Sequence, residues 1–133
     1  VTSFTELRRD GLDCNRYNLL HPTAKKQKVP YVTHKLQESE GPIIASTDYM
    51  KLFADQIREF IPAGREYKVL GTDGFGRSDF RFKLREHFEV DRHFVVLAAL
   101  KALADEGKIP ASKLAEAIKK YDINPAKANP HHA

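Results

Sequence analysis

Three glycines within six positions raise the sharpest chemical question in this chain. They are Gly71, Gly74 and Gly76, in the run Lys-Val-Leu-Gly-Thr-Asp-Gly-Phe-Gly-Arg-Ser-Asp that ends at Asp79. An apolar run precedes them and a helical pattern follows. The stretch therefore predicts a buried strand, a tight loop with bared backbone, and a helix capped by Ser78 or Asp79. Exposed amides in such a loop are the chemistry that cradles phosphate. The side chains argue against that use. A dinucleotide fingerprint counted from Gly74 places Asp79 where its third glycine belongs, and a carboxylate there repels a pyrophosphate. Counted from Gly71, Gly76 and Ser78 meet the P-loop spacing, but Arg77 replaces the lysine and Asp73 adds negative charge. The loop reads first as a structural turn that lets backbone approach a neighbouring domain or subunit, with Arg77 and Asp79 as its hydrogen-bonding anchors. A free-standing nucleotide- or phosphate-binding α/β module using the Gly71–Asp79 loop is the alternative.

The other reactive side chains form no constellation. Asp48 and Tyr49, at the end of an earlier strand, read either as an interface pair or as a helix cap followed by a core aromatic. The six histidines (21, 34, 87, 93, 131 and 132) have no metal-ligand spacing. His87 and His93 bracket a helix junction and read as capping or surface groups. His131 and His132 close the chain, where a tag remnant gives the same pattern. Ser46, Ser78 and Ser112 lack the Gly-x-Ser-x-Gly surroundings of an activated nucleophile. Cys14 sits on an apolar helical stripe and reads as core. No catalytic, cofactor-binding or metal residue is assigned; the candidate loop and interface set is Asp48, Tyr49, Asp73, Gly74, Gly76, Arg77 and Asp79.

The elements that position this set follow from local patterns. Ser3 with Glu6 forms a capping box for a helix carrying Phe4, Leu7, Cys14 and Tyr17, which Gly11 weakens and could break. Residues 21–30 read as a surface loop, and Pro30 opens a short helix through Leu36. Ile43 to Thr47 fits a buried parallel strand. Thr47 or Asp48 then caps one helix with Met50, Phe53, Ile57 and Phe60 or Ile61 on its buried face, stopped by Pro62 and Gly64. Tyr67 to Gly71 is the second strand. Phe80, Leu84 and Phe88 mark a short amphipathic helix, and Asp91 caps another that is apolar from Phe94 to Ala104 except at Lys101. That helix is expected to be buried nearly all round. Gly107 fits its C′ position, and Pro110 and Ser112 open a last helix with Leu114, Ile118 and Tyr121 inward. Residues 122–133 read as an irregular surface tail.

Composition bounds the rest. With 133 residues, 41% apolar and 30% charged, residues 1–133 are the size of one globular domain. The net charge of +4 is modest, and the basic clusters at Lys25–Lys28 and Arg77–Arg85 carry no nucleic-acid recognition motif, so neither nucleic acid nor membrane is expected as a partner. One cysteine and no apolar run long enough for a membrane span favour a reducing, cytoplasmic setting. Two parallel strands among about six helices are too few for a buried sheet, which reads as a domain whose first part is missing.

The run Ala-Ser-Thr-Asp-Tyr-Met-Lys-Leu-Phe-Ala ending at Ala54, the loop from Leu70 to Asp79, Val1 to Leu7, His87 to Asp91 and the closing Asn129-Pro130 together resemble the C-terminus of the homodimeric type of pyruvate dehydrogenase. The resemblance covers essentially the whole chain. It implies a three-layer α/β fold of the transketolase C-terminal type, with a mostly parallel sheet and its first strand and helix lying upstream. The parent enzyme it implies uses thiamine diphosphate and magnesium to decarboxylate pyruvate and passes the two-carbon unit to a lipoyl group. Implied partners are the upstream domains, the second subunit of a homodimer and the lipoyl acetyltransferase component. The family's Gly-Asp-Gly thiamine motif is not met, because Thr72 stands before Asp73-Gly74 and no Asn follows at the required interval. The resemblance therefore implies dimer assembly and domain packing for this part, and an inactive fragment when alone.

Overall fold

Ser3 opens the first helix as its spacing to Glu6 predicts: its hydroxyl accepts the Glu6 amide at 3.2 Å and α1 runs Phe4–Leu20. The computed structural model describes residues 1–133 and groups them in two compact units, residues 1–41 with 52–65 and residues 42–51 with 66–133.

In the first unit, α1 does not break at Gly11. A Cβ there would lie 2.5–2.6 Å from three ring carbons of Phe60, which is itself buried. The glycine thus gives up helix propensity so that an aromatic ring can lie against the helix backbone. α2 (Tyr31–Leu36) follows Pro30, which is its N-cap, not its first residue. Pro30 offers no capping side chain; Asp10, on α1, accepts the Tyr31 amide at 2.7 Å instead. At the other end, the Arg65 guanidinium donates to the carbonyls of Leu36, Ser39 (3.1 Å) and Gly41 (2.7 Å). The single helix expected from residue 48 to 61 is two pieces, α3 (Lys51–Asp55) and a 3-10 turn (Arg58–Phe60). The cause is tertiary. The Phe60 amide bonds to Ile57 three residues back, its carbonyl accepts the Thr33 hydroxyl at 2.5 Å, and its ring covers Gly11. The apolar spacing still serves its purpose, since Ala54, Ile57 and Phe60 join Cys14 and Val32 in the core.

In the second unit, β1 (Ile43–Ser46) and β2 (Tyr67–Leu70) pair in parallel, Ile43 opposite Tyr67 and Ser46 opposite Leu70. Three helices follow: α4 (Arg81–His87), α5 (Arg92–Asp105) and α6 (Ala111–Lys120). Asp91 caps α5 as expected, accepting the His93 and Phe94 amides at 3.0 Å each. Gly107, at φ 73°, ends it. α5 packs on both strands and on α6, an α/β arrangement about a parallel sheet. Its near-complete burial is not observed. Only Ala102 is buried outright, and Val96 is 38% exposed, because two four-residue strands and one helix cover part of its circumference. No helix is long and apolar enough to cross a membrane.

Residues after α6 contain no helix or strand, yet they do not simply lie on the surface. The Lys127 ammonium donates to the Glu86 and His87 carbonyls at 2.7 and 2.8 Å, closing the C-terminus of α4 where cations are favoured. Pro130 is buried, and its carbonyl sits against Gly74.

Candidate functional site

The glycine loop begins where β2 ends, and its root is tied to the segment leaving β1. The Thr47 amide bonds to the Leu70 carbonyl at 3.0 Å, extending the parallel register by one step. Thr72 then bonds back twice, its amide to the Tyr49 carbonyl (2.9 Å) and its hydroxyl to the Asp48 carbonyl (3.1 Å). Asp73 accepts the Lys51 amide at 3.0 Å and so supplies the cap of α3. Thr47 and Asp48, expected in that role, are used otherwise: the Thr47 hydroxyl accepts the Tyr49 amide, and Asp48 faces α4. Gly71 is buried because a Cβ there would lie 2.7–2.8 Å from the Lys51 nitrogen and the Tyr49 oxygen. Gly74 has φ 108°, and a Cβ would lie 2.4 Å from the Pro130 carbonyl oxygen. Both glycines are there for close backbone approach, as the sequence anticipates, but the backbone they meet belongs to this chain.

Asp48 is the one strongly paired carboxylate beside the loop. Arg85 grips it in a fork, Nε to Oδ1 at 3.1 Å and Nη2 to Oδ2 at 2.7 Å. The hydrogen bond from Arg85 holds the Asp48 carboxyl below its ordinary range, with partial burial opposing it and the charges of Arg85 and Arg81 assisting. The same bond raises the Arg85 guanidinium. Geometry of this kind positions a helix; it leaves no free base for proton transfer. Tyr49, the other half of the predicted pair, is exposed, and its carbonyl serves the loop root.

The far half of the loop behaves differently. Gly76 has open space around it, so a Cβ would meet nothing. Arg77 makes no hydrogen bond or ion pair in the chain, and Asp79 binds only the next amide, that of Phe80, at 2.7 Å. Within this chain the root is held by Thr72 and Asp73, with Pro130 behind Gly74, and not by Arg77 or Asp79. Nothing in the local sequence pairs Arg85 with Asp48, or Lys127 with α4. Such contacts between residues about forty positions apart are not encoded by periodicity.

No three His, Cys, Asp or Glu side chains converge to hold a metal ion. His93 stacks on Tyr121 (centroids 4.5 Å apart), and His87 meets Phe88 edge-on, its Nε2 buried without a partner. Thiamine diphosphate with magnesium does not fit these residues: Asp73 is committed to the Lys51 amide and Asp48 to Arg85. The phosphate-binding alternative gains nothing either. The Thr72 and Phe80 amides that bracket the loop are already occupied, and the Asp79 carboxylate stands at the entrance to α4.

The model of the transketolase-like TK C-terminal domain family matches residues 1–91. Among curated relatives, the chain is 64% identical over 130 residues to the pyruvate dehydrogenase E1 component of Pseudomonas aeruginosa, covering 98% of the chain and 14% of the relative. Identity is 62% over 128 residues to that of Cupriavidus necator (96% and 14%) and 55% over 133 residues to that of Escherichia coli (100% and 14%). The chain thus spans about 14% of the length of the curated relatives it matches.

Proposed function

The chain belongs to the transketolase-like TK C-terminal domain family, and on that premise we propose that it is the non-catalytic C-terminal module of a thiamine-diphosphate-dependent pyruvate dehydrogenase component. The relatives' shared identity as pyruvate dehydrogenase E1 components supports the assignment of the parent. The parent decarboxylates pyruvate on thiamine diphosphate and magnesium held by its other domains, and acetylates the lipoyl group of an acetyltransferase component. The module itself packs against those domains and helps assemble the homodimer.

The observation that carries the non-catalytic reading is the internal use of the loop's polar groups. Asp48, Thr72 and Asp73 all spend their hydrogen-bonding capacity within the second unit, on the segment leaving β1, on Lys51 and on α4. The exposed faces of α5 and the two-stranded sheet are then surfaces for the rest of the parent to cover. Titration calorimetry of the chain with thiamine diphosphate and magnesium tests this. No binding in the micromolar range is expected, and a saturable micromolar isotherm overturns the reading.

A further inference from the structure

The residues after α6 form no helix or strand, yet the same kind of turn bends them twice. In the first turn the Asn124 side chain accepts the Ala126 amide at 2.9 Å and its carbonyl accepts the Lys127 amide at 3.1 Å, with Pro125 between. In the second, around Pro130, the Asn129 side chain accepts the His131 amide and its carbonyl the His132 amide, both at 3.0 Å. Asparagine opens such turns through its side chain and proline presets the next φ, so the tail is a stiff connector. It carries two contacts three residues apart. At one, the Lys127 ammonium donates to the carbonyls of Glu86 and His87 (2.7 and 2.8 Å) and lies 3.5 Å from the Glu89 carboxylate. At the other, the Pro130 carbonyl and the His131 Cα occupy the place that a Cβ on Gly74 would need.

These contacts fall at the two ends of one stretch, residues 74–87, which contains the loop tip and α4. With seven residues, α4 is too short to hold itself in water. Its N-cap, Phe80, offers no capping side chain, and it closes through Glu89 at φ 61°, a left-handed position where glycine is usual. The Glu89 and Val90 amides bond back to Glu86 and Arg85 at 3.3 and 3.0 Å, and Lys127 pairs with the Glu89 carboxylate beside them. We propose that the tail is a two-point latch: Lys127 and Pro130, spaced by the turns, lock α4 and the glycine-loop root into one cooperative unit, so that release at either point loosens both. The contacts lie within the chain and do not depend on what covers its outer faces, and the inference goes beyond the module's assignment without using it. The Asp48–Arg85 fork is the rival route between α4 and the root, because the Asp48 carbonyl also accepts the Thr72 hydroxyl. Slackening the tail between its two contacts separates the routes.

The test is hydrogen exchange in the full-length parent, followed in peptides spanning residues 71–76 and 81–88. Lys127→Met should speed exchange about tenfold in both peptides, through the loss of two hydrogen bonds from a charged donor. Pro130→Gly, which relaxes the second turn and leaves Lys127 in place, should speed the same two peptides. Two glycines inserted between Ala128 and Asn129 let both contacts form but slacken the connector, and in that background Lys127→Met should speed the α4 peptide alone. Three results overturn the proposal: exchange unchanged in either peptide on Lys127→Met, a Pro130→Gly effect confined to residues 71–76, or a Lys127→Met effect that still reaches both peptides after the insertion, which would assign the coupling to the fork. Thermal midpoints within a degree or two of the parent's exclude misfolding as the cause, and the milder Lys127→Gln or Pro130→Ala replaces any variant that fails this check.

Discussion

The glycine loop has a root and a tip that differ in almost every physical respect. At the root, Gly71, Thr72, Asp73 and Gly74 are fitted against backbone on both sides, by β1's exit and by the tail at Pro130. At the tip, Phe75, Gly76 and Arg77 make no hydrogen bond or ion pair in the chain, and the Phe75 ring is exposed. The contrast shows that glycines at most five residues apart can serve opposite purposes. Gly71 and Gly74 admit neighbouring backbone, while Gly76 meets none.

The largest expected effect therefore falls on the root. Gly74→Val must place a β-branched residue at φ 108° with its Cβ against the Pro130 carbonyl, and should cost about 3 kcal/mol in urea unfolding. Gly76→Val, in open space, should stay within about 0.5 kcal/mol. Equal losses at the two positions would erase the contrast. Next in size is Lys127→Met. It removes two charge-assisted hydrogen bonds to the α4 carbonyls and should cost roughly 1–2 kcal/mol, with faster hydrogen exchange in α4 and unchanged exchange in β2. Uniformly faster exchange across the second unit would deny Lys127 that local role.

The smallest effect concerns the Asp48–Arg85 fork, whose side chains are 65% and 43% exposed and therefore well screened. The folded state holds the Asp48 carboxyl below its ordinary value of about 3.9, so its stabilisation is present above that pH and is lost as pH falls through the lowered folded value. The stability difference between the parent chain and Asp48→Asn should thus be constant near neutrality and shrink in acid. A difference independent of pH down to acid denaturation would mean that the fork contributes shape without charge.

What could be read from sequence was what is local. Ser3, Asp91 and Gly107 mark helix ends through contacts within a few residues, and the two strands follow from short apolar runs between turn signals. Gly11 was legible as a weak point but not as the seat of Phe60, since the ring arrives from a distant segment. The break between α3 and the turn at Arg58–Phe60 has the same origin. The apolar run in α5 spoke to composition and not to what covers it. In the candidate site, Asp48, Asp73 and Gly74 were found by position and spacing. Their partners Arg85, Lys51 and Pro130 were not, because pairing across the fold leaves no periodic trace.

Hydrogen exchange on loop residues 72–80, measured in this chain alone and in the full-length parent, tests the account most directly. The root amide of Thr72 should be slow in both, and the tip amides from Phe75 to Ser78 should be fast in the chain and slow only in the parent. A tip that exchanges at the same rate in the two would contradict the assignment of this loop as a contact surface.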